Sequence, residues 1–177
     1  DQKVRDSKKG GYGTISVQEV FEFSSNVGMS MIVDKYYKGK EKEFVEKLYG
    51  MHLNEKTGIS IPGEAKPYIK YPGDDLWSGI SLPQMSYGYE LQMTPLQTLM
   101  FYNAVANGGK LVRPRLIRAI QNRGKTIKRF YPDIIDRQIA SPSAIKKAHI
   151  MLQGVVENGT ARNLANLNFK IAGKTGT

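Results

Sequence analysis

The sequence predicts a helix-rich α/β fold. Three observations carry that prediction. Several segments place helix-capping residues ahead of an apolar stripe. Two basic strand-like runs flank an Asn-Arg-Gly turn. The closing run, Phe169 to Thr177, reads as a strand. The 177 residues suffice for one domain with a core, and the 40% apolar and 24% charged fractions belong to a folding chain.

The first dozen residues are polar and contain glycine, so they read as loop. Ser16-Val17-Gln18-Glu19 fits a capping box, in which the serine hydroxyl and the glutamate satisfy free backbone donors reciprocally. The stripe of the helix that follows runs Val17, Val20, Phe21 and then Ser24, an inward-pointing serine that needs a partner. Ser25-Asn26 interrupts. Val27 to Tyr37 resumes as a helix apolar on most sides, expected to be deeply buried, and Gly39 ends it. Glu41 to Tyr49 is amphipathic, with Phe44, Val45, Leu48 and Tyr49 on one face and Gly50 as its stop.

Residues 57 to 93 are rich in Gly and Pro and read as a long irregular region, of a length usually either functional or packed on something. Thr94-Pro95 opens a helix that ends at Asn107-Gly108-Gly109. Leu111 to Ile120 and Thr126 to Tyr131 are expected as paired strands around Asn122-Arg123-Gly124. Ser141-Pro142 opens the last helix, with Ile145, Ala148, Leu152 and Val155 toward the core and Asn158-Gly159 at its end.

Composition excludes some chemistry. There is no cysteine, hence no disulfide, thiolate nucleophile or cysteine-bound metal. The two histidines, His52 and His149, fall in different elements and make no metal site. No apolar run approaches membrane-spanning length. There is no signal-peptide pattern, and a start at Asp1 is expected of a segment cut from something longer or processed. The net charge is +10. Much of it lies between Lys110 and Arg129, a stretch without an acid that reads first as the solvated face of a hairpin. A basic module gripping an anionic polymer is the competing account. The stretch lacks the interleaved aromatics and motifs of nucleic-acid binders, so no nucleic-acid partner is expected.

Two short motifs carry chemistry. Ser24-Ser25-Asn26 sits at a break between helices, and Lys174-Thr175-Gly176-Thr177 lies on the closing run. Alone each is weak: at ordinary residue usage a Ser-x-Asn arises by chance in roughly every second or third chain of this length, and a Lys-Thr-Gly in about one in twenty-five. Helix punctuation accounts for the first, and a turn at Gly176 for the second. Together they suggest serine acyl transfer, which asks for a serine beside a lysine, amide and hydroxyl groups on the substrate amide, and a cation with backbone donors for a carboxylate and an oxyanion. Strict alternation puts Lys174 and Gly176 on one face of a strand and Thr175 and Thr177 on the other.

With these motifs, four segments in order make the chain resemble the transpeptidase domain of class B penicillin-binding proteins over nearly its whole length. They are GTISVQEVFEFSSNVGM, TGISIPGE, SYGYELQMTPLQTLMFYNAVANGGKLVRPRLI and VVENGTARNLANLNFKIAGKTGT. Ser-Ser-Asn-Val-Gly leans toward the division-type, septal branch. The resemblance implies a penicillin-binding-protein transpeptidase / serine β-lactamase-like fold, present in part, with the closing strand as the start of its central antiparallel sheet.

It also implies roles. Ser24 would pass protons between a general-base lysine and the leaving group. Asn26 would hold the acyl-side amide. Lys174 would support Ser24 and the local positive potential, bringing the two side chains together although 148 positions separate Asn26 from Lys174. Thr175 and Thr177 would contact the substrate carboxylate, Gly176 would let substrate lie alongside, and the Thr177 N–H would form half of an oxyanion hole.

The implied activity is peptidoglycan D,D-transpeptidation through an acyl-serine intermediate, with stem peptides as substrates, β-lactams as inhibitors and no cofactor or metal. Cell-division and glycosyltransferase proteins are the implied partners. The implied location is the extracytoplasmic side of the cytoplasmic membrane, reached through an anchor outside this sequence. D,D-carboxypeptidases and β-lactam-sensing or hydrolysing relatives share the same site logic.

The family's nucleophile motif, Ser-x-x-Lys, is expected upstream of Ser24 and does not occur there. Its only match, Ser143-Ala144-Ile145-Lys146, lies between the other two motifs and reads as the first turn of a capped helix. Residues 1–177 are thus expected to be a partial transpeptidase domain. It would lack the nucleophile segment and the strands after the Lys-Thr-Gly motif, and would be inactive by itself.

Overall fold

The computed structural model describes residues 3–166 and 168–176. In chain order its elements are α1 (Val17–Glu22), α2 (Asn26–Tyr37), α3 (Glu41–Gly50), β1 (Tyr68–Ile69), α4 (Ser81–Met85), β2 (Leu91–Gln92) and α5 (Pro95–Ala106). There follow β3 (Leu111–Val112), β4 (Ala119–Asn122), β5 (Lys125–Arg129), β6 (Ile134–Asp136), α6 (Pro142–Glu157) and a 3₁₀ turn at Arg162–Leu164.

Helix starts follow the capping residues. Ser16 Oγ accepts the Glu19 N–H at 3.2 Å while Glu19 Oε2 accepts the Ser16 N–H at 2.7 Å, the expected capping box. Thr94 and Gln97 build a second one at α5. Ser141 caps α6, with Pro142 in its first turn.

Helix ends share one device. In α1, α3, α4 and α5 an N–H bonds back five residues and the one before it bonds back three, around a residue with left-handed backbone. In α4 and α5 that residue is Gly88 (φ 107) and Gly108 (φ 69). In α1 and α3 it is Ser24 (φ 55) and His52 (φ 60), where a side chain costs about 1 kcal/mol or more relative to glycine.

One core cluster joins α5, β3 and α6 through Met100, Ala104, Val105, Leu111, Ile145 and Leu152. A second gathers Val45 of α3, Ile69 and Met85. A third sets Val155 and Val156 against Ala161, with Phe21 and Ile171 packed on it. Of the four α6 residues expected to face inward, Ile145, Leu152 and Val155 are buried and Ala148 is partly so. α1 lies on α6, close enough that a methyl at Gly154 or Gly159 would overlap the side chain or the backbone of Glu22.

The structure corrects four expectations. α2 is not deeply buried: only Ser30 and Val33 are, and Met31 and Tyr36 are 67% and 62% exposed. It packs on α4, which covers one side. The run from Leu111 to Ile120 is two strands, because Pro114 interrupts it without an N–H to give. β3 pairs with β6, and β4 pairs with β5 around Arg123 (φ 48) and Gly124 (φ 77), the expected hairpin in a primed-type turn. Every residue of β5 is exposed. The region 57–93 holds α4 and the short β1–β2 pair. Finally, residues 168–176 form no strand. A ladder needs a neighbour, and among the described residues this run instead meets α6, with the Gly173 N–H donating to Leu152 C=O at 3.1 Å.

Candidate active site

Ser24 takes its place from the end of α1. The Ser24 N–H bonds Phe21 C=O at 3.2 Å and the Ser25 N–H bonds Val20 C=O at 2.9 Å, so Ser24 is the left-handed residue of the helix stop. The sharp turn releases its side chain from the helix face, and the next helix begins two residues later with Ser25 as its cap, Oγ accepting the Gly28 N–H at 2.9 Å.

Lys174 arrives from the other end of the chain. Its Nζ donates to Ser24 Oγ at 2.6 Å and to its neighbour's carbonyl, Thr175 C=O, at 3.2 Å. The ammonium lies 5.9 Å from the Phe21 ring centroid, within cation–π range. Burial lowers the Lys174 pKa from its usual value near 10.5, because the charged form is poorly solvated there. Serine and lysine thus form a hydrogen-bonded pair.

Lys174 and Thr175 point their side chains to different partners, although the run forms no strand. Lys174 turns to Ser24, and Thr175 Oγ1 turns to the hydroxyl of Thr160 at 2.7 Å. Asn26 opens α2, and its Nδ2 donates to Arg5 C=O at a long 3.4 Å. Gly176 is exposed, and Thr177 lies outside the described residues. A cavity of about 1040 Å³ is lined by Ser24, Asn26, Lys174, Thr175 and Gly176 together. Neither Ser143 nor Lys146 lines it. Ser143 instead sits 3.1 Å from the capping hydroxyl of Ser141, in the first turn of α6.

A family model described as the penicillin binding protein transpeptidase domain matches residues 1–177. The chain belongs to this transpeptidase family. Among curated relatives, it is 34% identical over 182 residues to penicillin-binding protein PbpB of Mycolicibacterium smegmatis, covering 98% of this chain and 27% of that protein. It is 30% identical over 177 residues to stage V sporulation protein D of Bacillus subtilis, covering 99% and 26%. The chain therefore spans about a quarter of the length of these relatives.

Among solved structures, it is similar to penicillin-binding protein 3 of Mycobacterium tuberculosis in complex with aztreonam (TM-score 0.69, 31% identity, 86% of this chain and 33% of that one). It is also similar to the apo TP domain of Burkholderia pseudomallei penicillin-binding protein 3 (TM-score 0.73, 28% identity, 93% and 46%). The fold is that of penicillin-binding-protein transpeptidase domains, in the serine β-lactamase-like class.

Sequence reasoning missed other residues that line this cavity. Asp6 lines the cavity, in a segment read only as polar loop. Thr160 lines it too, and its N–H donates to Glu22 C=O at 3.1 Å while its hydroxyl meets Thr175. One residue thereby ties the run bearing Lys174 to the helix end bearing Ser24. Tyr87, Tyr89 and Tyr102 line it as well. Burial raises the pKa of Tyr87 and of Tyr102, with Tyr89 adding to the effect at Tyr87. Neither Asp6 nor Thr160 breaks a local sequence pattern: the first sits in a polar loop, and the second follows the helix stop at Asn158-Gly159.

Proposed function

We propose that these residues form two walls of a peptidoglycan D,D-transpeptidase site that cross-links stem peptides during septal wall synthesis. The observation that carries the reading is the 2.6 Å contact between Lys174 Nζ and Ser24 Oγ, made across the length of the chain inside a cavity that also holds Asn26. In this reading a serine outside these 177 residues attacks the penultimate D-alanine carbonyl and expels the terminal D-alanine. Ser24 relays the proton to that leaving amine, and Lys174 holds the Ser24 hydroxyl in line. Asn26 holds the amide on the acyl side. Thr175, Gly176 and Thr177 receive the carboxylate, and the Thr177 N–H stabilises the oxyanion. An acceptor amine then takes the acyl group. β-Lactams acylate the same serine, as the relatives solved with aztreonam and ampicillin suggest. Exposed apolar side chains such as Met31 and Leu99 support packing against further protein that carries the nucleophile.

The parent protein in this reading is anchored in the cytoplasmic membrane and works outside it with division and glycosyltransferase partners. Among the described residues no helix is long and apolar enough to cross a membrane. The test is labelling with a fluorescent penicillin, on the 177-residue chain and on the full-length protein. Label on the full-length protein alone, mapped to a serine other than Ser143, is the expected result. A folded full-length protein that takes no label overturns the reading. Release of D-alanine with cross-linked product separates transpeptidation from carboxypeptidase action.

A further inference from the structure

The residues ahead of α1 do more than lead into it. Arg5, Asp6 and Tyr12, in the segment ahead of α1, hold the Ser24 turn. Asp6 Oδ1 and Oδ2 each lie 3.1 Å from Ser25 Oγ, which donates to the carboxylate. Asp6 Oδ1 also accepts the Val27 N–H at 3.1 Å, one of the free donors at the start of α2. Arg5 C=O accepts from Asn26 Nδ2. Further along, the Tyr12 hydroxyl donates to Phe23 C=O at 3.3 Å, and its ring stacks on Phe23 with centroids 5.4 Å apart.

These contacts fall on Phe23, Ser25, Asn26 and Val27 and leave out only Ser24, the residue with left-handed backbone. A strained serine persists only where its surroundings over-determine it. Ser25 alone does not suffice, because its hydroxyl already caps α2 by accepting the Gly28 N–H and has one proton to give. That proton goes to Asp6. The carboxylate therefore fixes the rotamer of Ser25 and the first turn of α2 together, on the side of Ser24 away from α1.

We infer that Asp6 is a positioning residue of the acyl-transfer site: its carboxylate locks the Ser25–Val27 turn so that Ser24 Oγ stays within reach of Lys174 and Asn26 faces the cavity. The inference rests on the acyl-transfer reading above. Asp6 touches no reacting atom. Its effect is to keep Ser24 in one conformation, so its loss lowers the rate of the chemical step more than the affinity for substrate or drug.

The test uses the full-length protein and three variants, D6A, D6N and S25A. Penicillin acylation is resolved into initial binding and the acylation rate constant, and hydrogen exchange is followed over residues 20–28. D6A is expected to slow acylation about tenfold to a hundredfold, with initial binding changed less than about threefold, and to speed exchange at Val27 and Gly28. D6N keeps a carbonyl oxygen for Ser25 or Val27 and is expected to recover most of the rate. S25A, which removes the other half of the contact, should slow acylation as D6A does.

A D6A protein that acylates at the wild-type rate overturns the inference. So does one in which D6A and D6N lose thermal stability equally and acylation falls only in proportion to the folded fraction. If the wild-type protein takes no penicillin, the function proposed above fails, and the exchange comparison alone decides whether Asp6 locks the turn.

Discussion

Ser24 occupies a position where glycine is the usual residue, which makes two substitutions there unusually informative. In α4 and α5 the equivalent helix-stop positions are Gly88 and Gly108, while Ser24 adopts φ 55 with a full side chain. Replacing Ser24 by alanine keeps the left-handed strain and removes the hydroxyl. Replacing it by glycine removes both. Relief of the strain is worth about 1–2 kcal/mol, and the greater freedom of an unfolded glycine returns about 0.5–1 of that. S24G is therefore expected to be more stable than S24A by about 0.5–1 kcal/mol, measured by urea unfolding of the two variants side by side. Both lack the group that meets Lys174 at 2.6 Å, so in the full-length protein of the proposed function both should lose penicillin acylation by about a hundredfold or more. Were S24G less stable than S24A, the left-handed strain would be fictitious. Were S24G to acylate at the wild-type rate, the serine would be punctuation and not chemistry.

Other outcomes follow from neighbouring contacts. G159A places a methyl 2.8 Å from the Glu22 carbonyl carbon and should cost about 1–3 kcal/mol by overpacking while slowing acylation; G50A, with nothing within 4 Å, is the matched control and should be neutral or stabilising. Thr160→Val keeps the shape but breaks the link to Thr175, so it should slow acylation with thermal stability little changed. Burial lowers the Lys174 pKa, so between that value and 10.5 the unfolded chain binds a proton that the folded chain does not. Stability from this residue rises with pH across that window, and the difference between wild type and K174M in chemical denaturation should show the slope.

His52 has the opposite sign. Burial opposes its charge, but the carboxylates of Glu55 and Asp136, 3.1 and 3.2 Å away, outweigh burial and raise its pKa above 6.5. Its contribution is complete below 6.5 and is lost as pH rises through the raised value. H52N, which tolerates φ 60, should flatten that loss in a thermal series from about pH 5 to about pH 9.

Local rules made much of this fold legible in the sequence. Capping residues name the starts of α1, α5 and α6, because a hydroxyl satisfying a free N–H is decided within four residues. Helix stops are local too, and so is the hairpin turn at Arg123-Gly124. What escaped depends on partners distant in the chain. β3 was readable as a strand but not its pairing with β6, and Pro114, which has no N–H to give, splits the run that read as one strand. α2 looked buried because its composition is apolar; exposure is set by what lies beside it, and α4 covers one side. The closing run has strand composition without a strand neighbour, which composition cannot supply.

The site divides along the same line. Ser24 announced itself because a serine fell on an apolar stripe and needed a partner, and that partner proved to be Lys174. Asp6 and Thr160 gave no such signal, because neither breaks a local pattern; each matters through contacts to residues distant in the chain. The two kinds of residue have different physical tasks. Those visible in the sequence carry the hydrogen-bonding atoms of the motifs, whereas those visible only in the structure hold a left-handed serine in a position its own backbone resists. A site of this kind fails by two separable routes, loss of the reacting group or loss of its place. Comparing S24G, which keeps the turn and loses the group, with D6A, which keeps the group and loses the turn, isolates each.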